Sequence, residues 1–200
     1  IDFFKVKNIK NIVWLPNSRK PSIKELAPKK FHKKFVFISR VIPEKGIIEI
    51  IKAANQLPKG YCIDVYGPID DRHYKADFFD TKKVTYKGLL NPNQVINKLS
   101  NYDVLMLPSY FEGEGYPGII IESLALGIPV ITTKWKALPE IITTNVNGIL
   151  IDIKNEEELE NAIIAFNEEN YPTFRKNAFK SFQQFSSDVV FNKIINSYLK

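Results

Sequence analysis

Glu114 and Glu122 are separated by seven residues, in a stretch whose glycines and prolines set it apart from the rest of the chain. The run Pro-Ser-Tyr-Phe-Glu-Gly-Glu-Gly-Tyr-Pro-Gly, 108 to 118, leads directly into Ile119, Ile120, Ile121 and Glu122. Three glycines at one strand-to-helix junction are costly unless the backbone must bend tightly or approach a ligand. Backbone N–H groups at the start of the helix, about 118 to 120, have no partner inside it. With the positive end of the helix dipole they can hold a phosphate. Carboxylates accept paired hydrogen bonds from vicinal hydroxyls. A phosphate site flanked by two carboxylates therefore suits a nucleotide sugar, with one carboxylate for the transferred sugar and one for the ribose. A tight surface turn before a buried helix is the plainer alternative.

A second group points to the same place. Arg40 follows the run 34 to 40 (Lys-Phe-Val-Phe-Ile-Ser-Arg), and Lys45 opens the next helical pattern after Val41, Ile42, Pro43 and Glu44. Two cations at the carboxyl end of a strand can neutralise a diphosphate as it leaves. Taken singly, each is also consistent with an ordinary surface cation.

Elements must exist to hold these residues. Strands are expected at 34–40, 61–66, 84–86, 103–107, 128–132 and, more weakly, 148–152. Helices are expected from Pro43 with apolar residues at Ile47, Ile48, Ile51 and Ala54, near 72–79, from the Asn91-Pro92 cap to about Ser100, from about Gly118 to Leu126, and over 155–167. Beyond Tyr171, Phe174, Ala178, Phe182 and Phe185 recur at helical spacing and read as core packing. Val189, Ile194, Ile195 and Leu199 suggest further helical turns. The alternation predicts an α/β, Rossmann-like parallel sheet with helices on both faces. Ligands of such sheets bind outside the carboxyl ends of the strands, so the loops after 40, 67, 88, 109 and 132 are where chemistry is expected.

At 200 residues the chain fits one α/β core. No apolar run approaches the ~20 residues of a membrane span. The chain opens at Ile1 without Met or a signal pattern, so a processed product or, in preference, a piece of something longer is expected. The single cysteine, Cys62, excludes an internal disulfide framework and is expected to be a buried, inert thiol. The net charge of +6 is uneven, since residues 1 to 34 carry ten Lys/Arg against two acids. Lys29, Lys30, Lys33 and Lys34 crowd a Pro-containing connector without the aromatic interleaving of a nucleic-acid face. They are expected to form a solvated linker, with a surface facing anionic lipid as the alternative. Asp70-Asp71 reads as a solvated turn and not a metal site, and Trp135 as either a sugar-stacking or a half-buried packing residue.

Together, Ser-Arg-Val-Ile-Pro-Glu-Lys-Gly at 39 to 46 and the Glu114, seven residues, Glu122 spacing resemble the C-terminal domain of glycosyltransferase family 4. The likeness extends through 84–88, 103–109, 127–131 and 139–148, covering roughly residues 35 to 165. It implies the C-terminal half of a GT-B fold, a nucleotide-sugar donor, transfer with retention, and no cofactor or bound metal. It further implies that Arg40 and Lys45 contact the donor diphosphate, with Glu114 on the donor sugar and Glu122 on the ribose. Gly115, Tyr116, Pro117, Gly118 and Ile119 would supply backbone contacts, and Leu89 or Leu90 would lie near the base. Residues 1–30 would be an interdomain crossing segment, 31–170 the nucleotide-sugar-binding domain, and 171–200 terminal helices packing on it. Trp14-Leu15-Pro16-Asn17-Ser18 resembles the crossing segment, with Ser18 where the family often has glycine.

Two departures stand out. Only Gly67 precedes Pro68 where the family often has Gly-x-Gly-Pro, and Lys134-Trp135-Lys136-Ala137-Leu138 replaces a glycine pair near the sugar. An N-terminal acceptor domain is the expected missing partner, the location cytoplasmic or peripheral at the inner face of a membrane, and the product a cell-surface polysaccharide or glycan. A glycosidase pairing of Glu114 with Glu122 is disfavoured because both belong to one loop-helix unit beside a phosphate-type turn. The competing reading is a non-catalytic nucleotide-binding or interaction module of the same fold.

Overall fold

The computed structural model describes residues 15–79 and 81–198. Its centre is a six-stranded, wholly parallel sheet in the order β3-β2-β1-β4-β5-β6. The strands are β1 (Lys34–Ile38), β2 (Cys62–Tyr66), β3 (Val84–Tyr86), β4 (Val104–Leu107), β5 (Val130–Thr133) and β6 (Gly148–Ile151). The helices are α1 (Ile47–Gln56), α2 (Val95–Leu99), α3 (Gly118–Ala125), α4 (Glu156–Ala165), α5 (Tyr171–Phe182) and α6 (Ser187–Tyr198). This is the Rossmann-like α/β fold expected from the alternation of short apolar runs with helical patterns.

The apolar strands explain the layering. Every residue of β4 and β5 is buried, as a strand covered on both faces requires. Helices α1 and α4 pack on each other, and so do α3 and α5. Phe35, Val36 and Phe37 of β1 are sealed in the core. The aromatic series Phe174, Phe182 and Phe185, with Ala178, is likewise buried. The chain winds outward from β1 through β2 to β3, then returns to lay β4 against the other side of β1. That reversal leaves the loops after β1 and β4 side by side at the carboxyl edge, where a parallel sheet opens a crevice.

Three expectations need correction. Cys62 is exposed, because it opens β2 on the same face as Asp64 while Ile63 and Val65 take the buried face. Its thiol stays unactivated, since partial burial, and then the Asp64 charge, push its pKa upward. Lys45 does not open a helix. Pro43–Lys45 form a separate 3-10 turn, and Gly46 in the left-handed region divides it from α1. The connector is not simply solvated either. Lys29 donates to the carbonyls of Ser100 (3.0 Å) and Tyr102 (2.5 Å), and burial pulls its pKa down. Trp14 of the crossing segment, the first part of the basic N-terminal stretch and Leu199 fall outside the described residues. No described helix is long and apolar enough to cross a membrane.

Candidate functional site

The site begins with a contact between two loops. A Cβ on Gly46 would stand 2.2 Å from the carbonyl oxygen of Pro108, so only glycine lets the turn after β1 touch the loop after β4. One bond fastens the contact, the Tyr110 N–H donating to the Glu44 carbonyl at 2.8 Å, and Ser109 Oγ lies 3.3 Å from the same oxygen. Lys45, carried by that turn, then meets Glu114. Their Nζ and Oε2 atoms are 2.6 Å apart, and both side chains are 7% exposed. Ser109 Oγ also donates to Glu114 Oε2. A pair buried this far holds together because each charge has a partner, and removing one partner would strand the other.

Arg40 is placed differently. It is exposed and makes no ion pair among the described residues, and its guanidinium carbon lies 5.1 Å from the centre of the Phe111 ring. Lys45 Nζ lies 4.8 Å from the same ring. The sequence-derived residues Arg40, Lys45 and Glu114 therefore converge, and they do so around an aromatic that sequence reasoning missed. Phe111 belongs to no periodic pattern and sits in a polar loop, so nothing local marks it.

The helix after this loop opens without a side-chain cap. Its first internal bond runs from the Ile120 N–H to Pro117 O at 3.1 Å, so the N–H groups of Gly118 and Ile119 precede the bonded ladder. Glu122 lies one turn in, and its Oε1 accepts from Arg19 Nε at 2.7 Å. Arg19 is the second residue that sequence reasoning missed. It lies 103 positions away, within a basic stretch read as linker. Its backbone is held between Phe185 O (3.0 Å) and the Ser187 N–H (2.9 Å), and its guanidinium rests against Gly118. Asn17 donates to the carbonyl of Tyr116, whose hydroxyl donates to Glu140.

Trp135 is half-buried, and its Nε1 donates to Phe111 O at 2.9 Å, so it braces the loop. Leu89, 69% exposed, and Leu90 border an open cleft of about 440 Å³ with Tyr66, Lys87, Gln94 and Asn97. Asp70 is committed to Arg72, whose side-chain bonds hold the carboxyl well below its usual pKa. No group of three or more potential metal ligands occurs among the described residues. Close to the Glu44 turn, Tyr74 is pushed up to about 12 by burial, and burial, with Glu49 and Glu44 nearby, raises Tyr110.

Residues 18–181 match the family model described as Glycosyl transferases group 1. A 41.2 kDa protein in the cps region of Klebsiella pneumoniae is 26% identical over 98% of the chain and 54% of its own length. The putative teichuronic acid biosynthesis glycosyltransferase TuaC of Bacillus subtilis is 32% identical over 67% of the chain and 33% of its own length. Among solved structures, a variant of S. aureus TarM in complex with Fondaparinux, alpha-GlcNAc-glycerol and UDP superposes with a TM-score of 0.80 at 22% identity, covering 100% of the chain and 42% of TarM. The chain thus spans about half the length, or less, of these relatives.

Proposed function

The chain belongs to the glycosyl transferases group 1 family, and from that premise we propose that it forms the C-terminal, nucleotide-sugar-binding half of a family 4, GT-B glycosyltransferase. The observation that carries this reading is the meeting of Arg40, Lys45 and Glu114 beside the uncapped start of α3, at the reversal in strand order. Two cations there face a diphosphate. Arg40 is free to take a phosphate oxygen, and the buried Lys45 ammonium, with three N–H donors, spends one on Glu114 and keeps the others for the donor. The N–H groups of Gly118 and Ile119 add to this, with backbone contacts along Gly115, Tyr116 and Pro117.

Glu114 then lies where the transferred sugar would sit, and Glu122 one helical turn away receives ribose hydroxyls. Leu89 and Leu90, at the separate cleft, border the base. The diphosphate gains charge as the sugar leaves, and Arg40 and Lys45 stabilise that charge in place. The sugar is transferred with retention, and neither metal nor cofactor is called on. The acceptor is held by the other half of an enzyme of the relatives' length, and the product belongs to a cell-surface polysaccharide or related glycan, made on the cytoplasmic side. UDP is the nucleotide bound to TarM and is the first ligand to try.

The test is a calorimetric titration of the chain with UDP and with uridine. Arg40→Ala is expected to weaken UDP by about 1.5 to 3 kcal/mol, the range for a lost charge-assisted bond, and to leave uridine unchanged. Equal losses for both ligands would remove Arg40 from the diphosphate. A chain that bound nucleotide yet gave no transfer when joined to its other half would favour the non-catalytic module.

A further inference from the structure

Arg40 and Lys45 reach the proposed diphosphate site from a turn, and neither is fixed there by its own element. Both converge on one ring, Phe111, at 5.1 Å and 4.8 Å from its centre. The ring is itself anchored by its backbone. The Phe111 N–H donates to Ser109 Oγ at 3.2 Å, and its carbonyl accepts from the Glu114 N–H at 3.0 Å and from Trp135 Nε1 at 2.9 Å. A Cβ on Gly113 would come within 2.8 Å of Phe111 Cε1, so the loop folds closely over the ring edge.

An aromatic face attracts cations through its quadrupole and places no competing negative charge on them. A carboxylate in the same position would also gather Arg40 and Lys45, but it would repel a diphosphate and occupy their N–H donors. Glu114 already takes one donor of Lys45, and Arg40 has no carboxylate partner among the described residues. We infer that Phe111 is a positioning residue: it holds Arg40 and Lys45 in the geometry that receives the donor diphosphate while itself taking up none of their hydrogen-bond donors. This rests on the reading of the two cations given above, and assigns the loop between Ser109 and Glu114 a role separate from contact with the sugar.

Two replacements at position 111 test it in calorimetric titrations with UDP and uridine, with thermal melting as the control for folding. Phe111→Leu keeps apolar volume and loses the ring face. Pentafluorophenylalanine in place of Phe111 keeps the ring's shape and reverses its quadrupole. Both are expected to weaken UDP about three- to tenfold with uridine unchanged, and Phe111→Tyr is expected to bind UDP within about twofold of the native chain. Unchanged UDP affinity in the pentafluoro protein would overturn the inference, as would equal losses for UDP and uridine, which would mark a packing role. If Arg40→Ala also left UDP binding intact, the diphosphate reading itself would fall. A loss with Arg40→Ala and none at position 111 removes only the role of the ring.

Discussion

The two edges of the sheet each hold a lysine against a carboxylate, and they are built to opposite ends. At the amino edge, fully buried Asp103 accepts from the backbone N–H groups of His32 (2.8 Å) and Lys34 (3.0 Å), pairs with Lys29 at 3.5 Å, and meets the Tyr171 hydroxyl at 3.4 Å. Arg175 beside it donates to the carbonyls of Ala27 and Gly127. Connector, strand and α5 are tied in one knot, and each oxygen of the carboxylate is engaged. At the carboxyl edge Glu114 is buried on Lys45 and Ser109, but Arg40 has no ion-pair partner among the described residues and lies on the Phe111 ring, and α3 opens uncapped. Charge is used up at one edge and held in reserve at the other. A cleft of about 550 Å³, larger than the 440 Å³ beside Leu89 and Leu90, lies at the amino edge against Lys29, Lys30 and Arg175. Volume is thus a poor guide here, since Lys29 and Arg175 are already committed to protein oxygens.

The comparison is broken most sharply at Asp103. Asp103→Ala strands a partly buried lysine and two backbone donors, and should cost about 3 to 5 kcal/mol of stability in urea unfolding, the range for breaking a buried pair. UDP affinity of the folded fraction should not change. A variant that melts normally, or that loses nucleotide binding while folded, would mean the amino edge is not the structural knot described.

The carboxyl edge can be divided further. Lys45→Ala should weaken UDP by about 1.5 to 3 kcal/mol, as Arg40→Ala does, but it alone should also destabilise the fold, because it leaves Glu114 buried without its cation. Equal melting temperatures for the two variants would show that the Lys45–Glu114 pair carries no structural share.

A smaller effect is expected at Glu49 of α1. Its Oε2 is buried without a hydrogen-bond partner among the described residues, and desolvation raises its pKa from 4.5. The groups around it are Tyr74, Tyr110, Lys52, Lys154 and Glu156. A carboxyl whose pKa is raised by folding holds its proton more tightly in the native state. Stability is therefore full below the ordinary glutamate value and falls as pH rises through the raised one. Glu49→Gln should gain about 1 kcal/mol near pH 7 and nothing near pH 4. Melting curves across that range check it, and a gain independent of pH would refute the sign.

The sequence was most legible where the signal is local. Gly115, Pro117 and Gly118 marked the junction of β4 and α3, and the Glu114–Glu122 interval is short enough to read directly. Contacts across long separations were not legible. Lys45 and Glu114 are 69 positions apart, and although the carboxyl ends of the strands set both at one edge, nothing in the sequence showed the ion pair between them. Arg19 looked like linker because its partners, Glu122 and the start of α6, are far along the chain. Cys62 could have been placed correctly. In Cys-Ile-Asp-Val-Tyr the period of two sets Cys62 on the face of Asp64, and the apolar pair Ile63 and Val65 takes the core. Lys29 looked solvated because its burial depends on Asp103, whose carboxylate gives no sign in sequence that it faces the connector.

The central claim is that the carboxyl edge divides one donor among separate residues, and the two glutamates test it most directly. Titrate Glu114→Gln and Glu122→Gln with UDP and with a UDP-sugar. If Glu122 holds the ribose, Glu122→Gln weakens both ligands alike, by about 1 to 3 kcal/mol, and less so for a 2′-deoxy analogue. If Glu114 faces the sugar, Glu114→Gln, whose amide oxygen still accepts from Lys45 and Ser109, leaves UDP affinity intact and weakens only the UDP-sugar. Loss of UDP binding in Glu114→Gln as large as in Glu122→Gln would contradict the account, and the pair would then be supports of the loop and not its ligand groups.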